Sequence, residues 1–123
     1  MEKKAHDEKS HVAIYILGAD GRVLLVHRDE RSGLAPLEWA RNKAITSYQT
    51  KKQTKELSES IIVRRADTFS FVLGMAGGVP LIYKGERVGA IGVSGAALPV
   101  DQAIAEEGLK TFNAITNNST ENK

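Results

Sequence analysis

Few residues in this chain of 123 are equipped for covalent or metal chemistry. There is no cysteine, which removes thiol nucleophiles, disulfides and cysteine-held zinc or iron–sulfur clusters. Three histidines remain, His6, His11 and His27. None stands four residues from another on a helical segment, the spacing that sets two imidazoles on one face for a metal. His6 lies in the charged opening run MEKKAHDEKS and reads as a solvated residue. His27 ends an apolar run beside Asp29 and reads first as a strand-end residue. The imidazole of His6 or His27 is also a candidate axial ligand for haem iron, as is the thioether of Met75, whose plainer role is core filling.

The other chemically suggestive stretch is Met75 to Gly95, MAGGVPLIYKGERVGAIGVSG. Gly77-Gly78 before Val79-Pro80 reads most simply as a loop that needs unusual φ values. Its functional reading is a set of backbone amides that open onto a pocket and hold an anionic group. With Pro80 at the start of the following strand and Ser94 at the end of the return strand, the candidate ligand-binding set is Gly77, Gly78, Pro80 and Ser94. Ser94 lies in Gly-Val-Ser-Gly, which lacks the G-x-S-x-G spacing of a nucleophile elbow, so a hydroxyl bonded to backbone is the better reading. Gly89, Gly92 and Gly95 do not match the dinucleotide fingerprint, and no Gly-Lys-Ser/Thr phosphate loop occurs. Tyr83, Lys84, Glu86 and Arg87 could serve a pocket, but charged hairpin turns are usually solvated. No nucleophile or acid–base pair stands out. The catalytic set is empty, and binding ranks ahead of catalysis.

Composition narrows the classes further. The hydrophobic fraction is 41% and the charged fraction 26%, ordinary for one globular domain. A formal charge of +2 is too small to point to nucleic acid or an anionic membrane as the main partner. The opening run lacks the apolar core of a signal peptide, and no apolar run is long enough to span a bilayer, so a cytoplasmic location is expected.

The elements that must position these residues follow from periodicity. Residues 1–10 read as a charged tail, 11–116 as one domain and 117–123 as a polar tail. His11 to Leu17 is apolar on both sides and predicts a strand covered on both faces. Asp20-Gly21 predicts a type I′ hairpin turn into a return strand over Val23 to His27. A helix is expected from Pro36 to about Lys51, with Leu37, Ala40, Ala44 and Tyr48 as its apolar stripe and Trp39 at the margin. Thr54 can cap a second, shorter helix bearing Leu57, Ile61 and Ile62. Arg64 to Thr68 reads as a polar connection, and Phe69 to Leu73 as either a strand or an irregular buried segment. A second hairpin follows, Val79 to Tyr83 and Arg87 to Ser94, turning at Lys84-Gly85. One face of its last strand carries Val88, Ala90, Gly92 and Ser94, small enough for a helix or a ligand to come close. A final helix starts near Leu98-Pro99, with Asp101 where the dipole favours an acid and a stripe of Ile104, Ala105, Gly108, Phe112 and Ile115.

GRVLLVHR, Gly21 to Arg28, resembles the early strand of a Nudix hydrolase. Glu106-Glu107-Gly108 lacks the preceding Arg-Glu of that family's metal box, so the likeness is one of strand composition. A broader pattern resembles the GlcG-like family, which includes the haem-binding HbpS proteins and the C-terminal domain of PduO-type proteins. It runs through Asp20-Gly21, Asn42-Lys43-Ala44, Gly77-Gly78-Val79-Pro80-Leu81, then Gly85 and Val88 to Gly95, and ends at Asp101, Ile104-Ala105 and Gly108-Leu109. The resemblance implies an α+β, profilin-like three-layer fold, an antiparallel sheet of about five strands with helices on both faces. It also implies a homo-oligomer and, in some members, binding of haem or a related tetrapyrrole. Family members carry a long helix before the first strand, where this chain has ten polar residues. The expected function is therefore that of an oligomeric small-ligand-binding or accessory protein. An enzyme acting on haem or a small metabolite, and a ligand-free structural protein, are the alternatives.

Overall fold

The computed structural model describes residues 11–57, 62–64, 71–73 and 75–121, with 62–64, 71–73 and 117–121 described by their backbone. The expected tail over 1–10 lies outside these residues. The main sheet has four antiparallel strands: β1 (Ala13–Leu17), β2 (Val23–Arg28), β5 (Gly78–Tyr83) and β6 (Glu86–Ser94), in the order β2-β1-β6-β5. Helix α1 (Leu34–Thr50) lies across β5, β6 and β1 on one face, and helix α2 (Leu98–Glu121) lies over β5 and β6 on the other. A separate two-stranded ribbon, β3 (Ile62–Arg64) with β4 (Phe71–Leu73), sits against α1. This is the three-layer α+β arrangement, with four strands in the main sheet and two outside it, where about five in one sheet were expected.

The period of two along each strand explains the layers. Val12, Ile14, Val79, Leu81, Ile91 and Val93 meet Ile104 and Ala105 of α2 in one buried apolar cluster. Burying a side chain of this size contributes about 1.5–3 kcal/mol. The opposite face is made of small residues. Ala13, Ala90 and Gly92 lie under α1, whose own contact residues include Ala40 and Ala44, all four alanines fully buried. The alanine stripe expected in the first helix is thus the packed one, while Leu37, Trp39 and Tyr48 are half-buried at its margins.

Several local expectations differ from what the chain does. The first hairpin does not use a type I′ turn. Gly21 alone has positive φ, +81°, and Gly21 N–H donates to Gly18 O at 3.0 Å while Gly18 N–H donates to Arg22 O at 2.8 Å. That is a three-residue connection with a left-handed glycine at its end. The two-residue turn with both central φ values positive is Lys84-Gly85, at +50° and +81°. Thr54 opens a single 3-10 turn, Thr54–Glu56, and Ile62 belongs to a strand. Its neighbour Ile61 lies outside the described residues, as does most of the Arg64–Thr68 connection. The β-branched Ile62 and Val63 favour a strand once a partner is near, and Phe71–Leu73 supplies it. Helix α2 continues through Glu121, beyond the expected start of a polar tail at Asn117.

Candidate functional site

The double glycine is enclosed by the chain itself. Lys43 of α1 is 1% exposed and passes beside Gly77 to reach the opposite layer. Its ammonium donates to Val93 O at 2.9 Å and to Asp101 Oδ2 at 3.1 Å. Asp101, also 1% exposed, accepts the Ala96 N–H on its other oxygen at 3.0 Å. Burial pushes Lys43 below the ordinary lysine range and Asp101 above the ordinary carboxylate range, and each opposes the other's shift by its charge. A Cβ at Gly77 would lie 3.0 Å from Lys43 Nζ and 2.4 Å from Val93 O, and its φ of +124° already excludes most side chains. Gly77 is bare because the Val93 carbonyl and the passing lysine crowd the position and its φ favours glycine.

Hydrogen bonds complete the enclosure. Gly77 N–H donates to Gln102 Oε1 at 3.0 Å, and Gly78 N–H donates to Thr54 Oγ1 at 2.8 Å. Gln102 in turn donates to Gln53 and Glu106, at 3.2 and 3.0 Å, and Lys55 donates to Glu106 at 3.2 Å. These bonds and the lysine hold the Glu106 carboxyl below its ordinary range. Both glycine amides are therefore spent inside the protein, and Gly78 is closed in by Lys43 O, Thr54 and Ser47. Ser94 is buried at the end of β6, next to the Lys43 acceptor Val93. Pro80 sits apart from this cluster. It lines a depression of about 300 Å³ with Lys51, Lys52, Gln53, Ile82 and Leu109. That is at the small end of ligand-pocket sizes. The four residues of the sequence-derived set thus divide between a packed interior and a surface hollow.

Of the candidate iron ligands, His6 lies outside the described residues, and His27 and Met75 lie at opposite edges of the sheet. His27 is on β2, and Met75 precedes β5, with β1 and β6 between. At ~4.8 Å per strand this is about 14 Å across, so they do not form a pair around one metal. No group of three or more metal-capable side chains occurs among the described residues. His27 is half-buried and pairs across the strand with Ile14, on the α2 side of the sheet. Around it the strand is open: Val23, Leu24, Leu25 and Val26 are 48, 71, 43 and 45% exposed. They give this edge strand apolar surface on both of its faces, and neither helix packs extensively against it. His11, near the start of β1, faces Asp29 at 3.4 Å. Arg31, beside Asp29, holds that carboxyl well below the usual range.

Sequence reasoning missed Lys43 and Asp101 as partners. Lys43 was visible only as one member of an Asn-Lys-Ala run, and Asp101 as a dipole-compensating acid. The one available signal was a lysine between Ala40 and Ala44 on a helix stripe otherwise made for close packing.

A family model described as "Haem degrading protein HbpS-like" matches residues 1–110. The chain belongs to the HbpS-like family. Solved structures agree with this membership. Protein ORFY of Klebsiella pneumoniae superposes with a TM-score of 0.79 at 27% identity, covering 92% of this chain and 82% of that one. An HbpS double mutant from Streptomyces reticuli gives 0.74 at 27% identity, covering 89% and 77%. The structure of a PduOC:heme complex gives 0.74 at 24% identity, over 88% and 83%, a likeness of fold. Among curated proteins, an uncharacterised 15.0 kDa protein of Citrobacter freundii is 26% identical over 121 residues, 94% of this chain and 85% of its own length. In this HbpS-like chain no helix is long and apolar enough to cross a membrane among the described residues.

Proposed function

We propose that this chain is an oligomeric, cytoplasmic haem-binding accessory protein. The family match over residues 1–110 carries the reading. The residues of β2 fit the group: haem is a broad apolar plate whose iron accepts an imidazole, and β2 offers His27 with exposed Leu25 on the same face, next to Ile16 of β1. His27 would supply the imidazole, and the apolar side chains would shield the plate from water. Bound haem would bring an iron able to exchange ligands and electrons. The enclosed Gly77–Gly78 turn would serve as framework, keeping α1 and α2 in place around the sheet.

Titration with hemin tests this. A shifted Soret band at one haem per chain is expected, and His27→Ala is expected to weaken binding at least tenfold without changing the thermal melt. Met75→Leu, at the other edge, is expected to leave the spectrum as it was. An unshifted Soret band in the wild type sinks the reading.

The description of the family as haem-degrading favours a second reading, an enzyme acting on haem. Incubation of the hemin-loaded protein with a reductant and oxygen separates the two. Loss of the Soret band at a rate well above that of free hemin supports turnover, and an unchanged band supports carriage alone.

A further inference from the structure

The main sheet has two edges, and the chain treats them differently. At the β5 edge, Val93 N–H donates to Gly77 O at 2.8 Å, so by the antiparallel alternation Gly78 and Pro80 point their main-chain groups outward. Gly78 N–H is taken by Thr54, and Pro80 has no N–H. The first half of this edge therefore has no donor left for another strand. At the β2 edge, Asp29 N–H donates to Val12 O at 3.1 Å, so Leu25 and His27 turn their main-chain groups toward β1, and Val26 and Arg28 turn theirs outward. No described strand lies beyond β2. Its sequence, VLLVHR, carries no proline and no charge before its last residue, and its apolar side chains are among the most exposed in the protein. The register irregularity of β1 with β2 falls between Ile16 and Leu17, opposite Leu24, and leaves Val26 to Arg28 regular.

We infer that the β2 edge pairs antiparallel with β2 of a second copy of this chain, Val26 opposite Val26, which joins two four-stranded sheets into one of eight. Of the two residues in the regular part of β2 whose main-chain groups face outward, Val26 and Arg28, only Val26 can stand opposite its own copy without setting like charges together. The chain's own opening run is a poor alternative cover, since MEKKAHDEKS has only Met1 and Ala5 as apolar residues. The pairing places Leu25 of one copy opposite His27 of the other, on the α2 side of the joined sheet. Both imidazoles then share one apolar trough. The inference rests on the oligomeric part of the proposed function and gives the surface that makes the oligomer.

The experiment is light scattering and amide exchange on the full chain at tens of micromolar, without hemin. The expected mass is two chains or a multiple of two, with the Val26 and Arg28 amides protected. Val26→Pro, which deletes an outward N–H, is expected to lower the mass at least twofold with the helical circular-dichroism signal retained. Should that variant misfold, Val26→Lys, which sets like charges opposite each other across the two-fold axis, is expected to weaken association at least threefold. A monomeric wild type overturns the inference, and so does Val26 protected within a monomer, which would mean that the chain covers its own edge. Unchanged mass in both variants overturns it as well. The hemin titration fails separately: a dimer that takes up no hemin overturns the haem reading and supports the interface, while a monomer that binds hemin overturns the interface.

Discussion

Lys43→Ala is expected to lower the thermal midpoint by roughly 10–20 °C, because removing one partner of a buried ion pair costs about 3–5 kcal/mol. The loss has three parts. Asp101, 1% exposed, keeps only the Ala96 N–H; Val93 O loses its side-chain donor; and the space beside Gly77 empties. Against a total stability of about 5–15 kcal/mol this is a large share. The pair itself need not be stabilising relative to apolar groups, since two charges must be taken out of water to make it. Lys43→Met combined with Asp101→Leu is therefore expected to recover at least half of the loss. Differential scanning fluorimetry of the single and double variants decides. A Lys43→Ala protein melting within about 2 °C of the wild type would show that the pair is incidental.

Gly92→Ala is expected to cost about 3 kcal/mol or more in urea denaturation, at the upper end of overpacking penalties. An added Cβ would meet Ala40 O at 2.0 Å and Ala44 N at 2.6 Å. Both are backbone atoms of α1, so no side chain can swing aside and the helix must lift from the sheet. Gly85→Ala is the control. Nothing lies within 4 Å of its added Cβ, and only its positive φ is strained, costing about 1–2 kcal/mol. Equal losses in the two variants would refute the close-approach account of Gly92.

These two sites also mark how far local pattern reaches. The small-residue face Val88, Ala90, Gly92, Ser94 signalled that something approaches the strand, and left helix and ligand as equal answers. At Gly92 the answer is a helix, seated through Ala40 and Ala44 of the stripe read from the same sequence. The double glycine carried a similar signal. There Gly77 meets the Val93 carbonyl and the Lys43 side chain, from 34 residues earlier in the chain, and Gly78 meets Lys43 O, Thr54 and Ser47. A glycine's need for space is written locally. The identity of the neighbour that fills the space depends on how the sheet is ordered.

The short helix expected after Thr54, which the chain does not form, has the same origin. Leu57, Ile61 and Ile62 have helical spacing, yet Ile62 pairs with Leu73 across a two-stranded ribbon. A partner strand eleven residues away outweighed a short helix with few apolar contacts of its own. The hairpin turn type was missed for a smaller reason. Asp-Gly permits two positive φ values without demanding them, and the chain used one.

By itself, the sequence determined the main hairpins, the two long helices, the absence of cysteine chemistry and, through the GGVP and VGAIGVSG segments, the family. These are short-range properties, set by residues within one or two turns of each other. The tertiary structure alone decided that Lys43 and Asp101, 58 positions apart, form a buried pair; that the glycine amides are consumed internally; and that β5 is the capped edge and β2 the open one. Each of those depends on which layers and strands become neighbours. That is settled by burying the whole apolar surface at once, and no local stretch of the chain contains it.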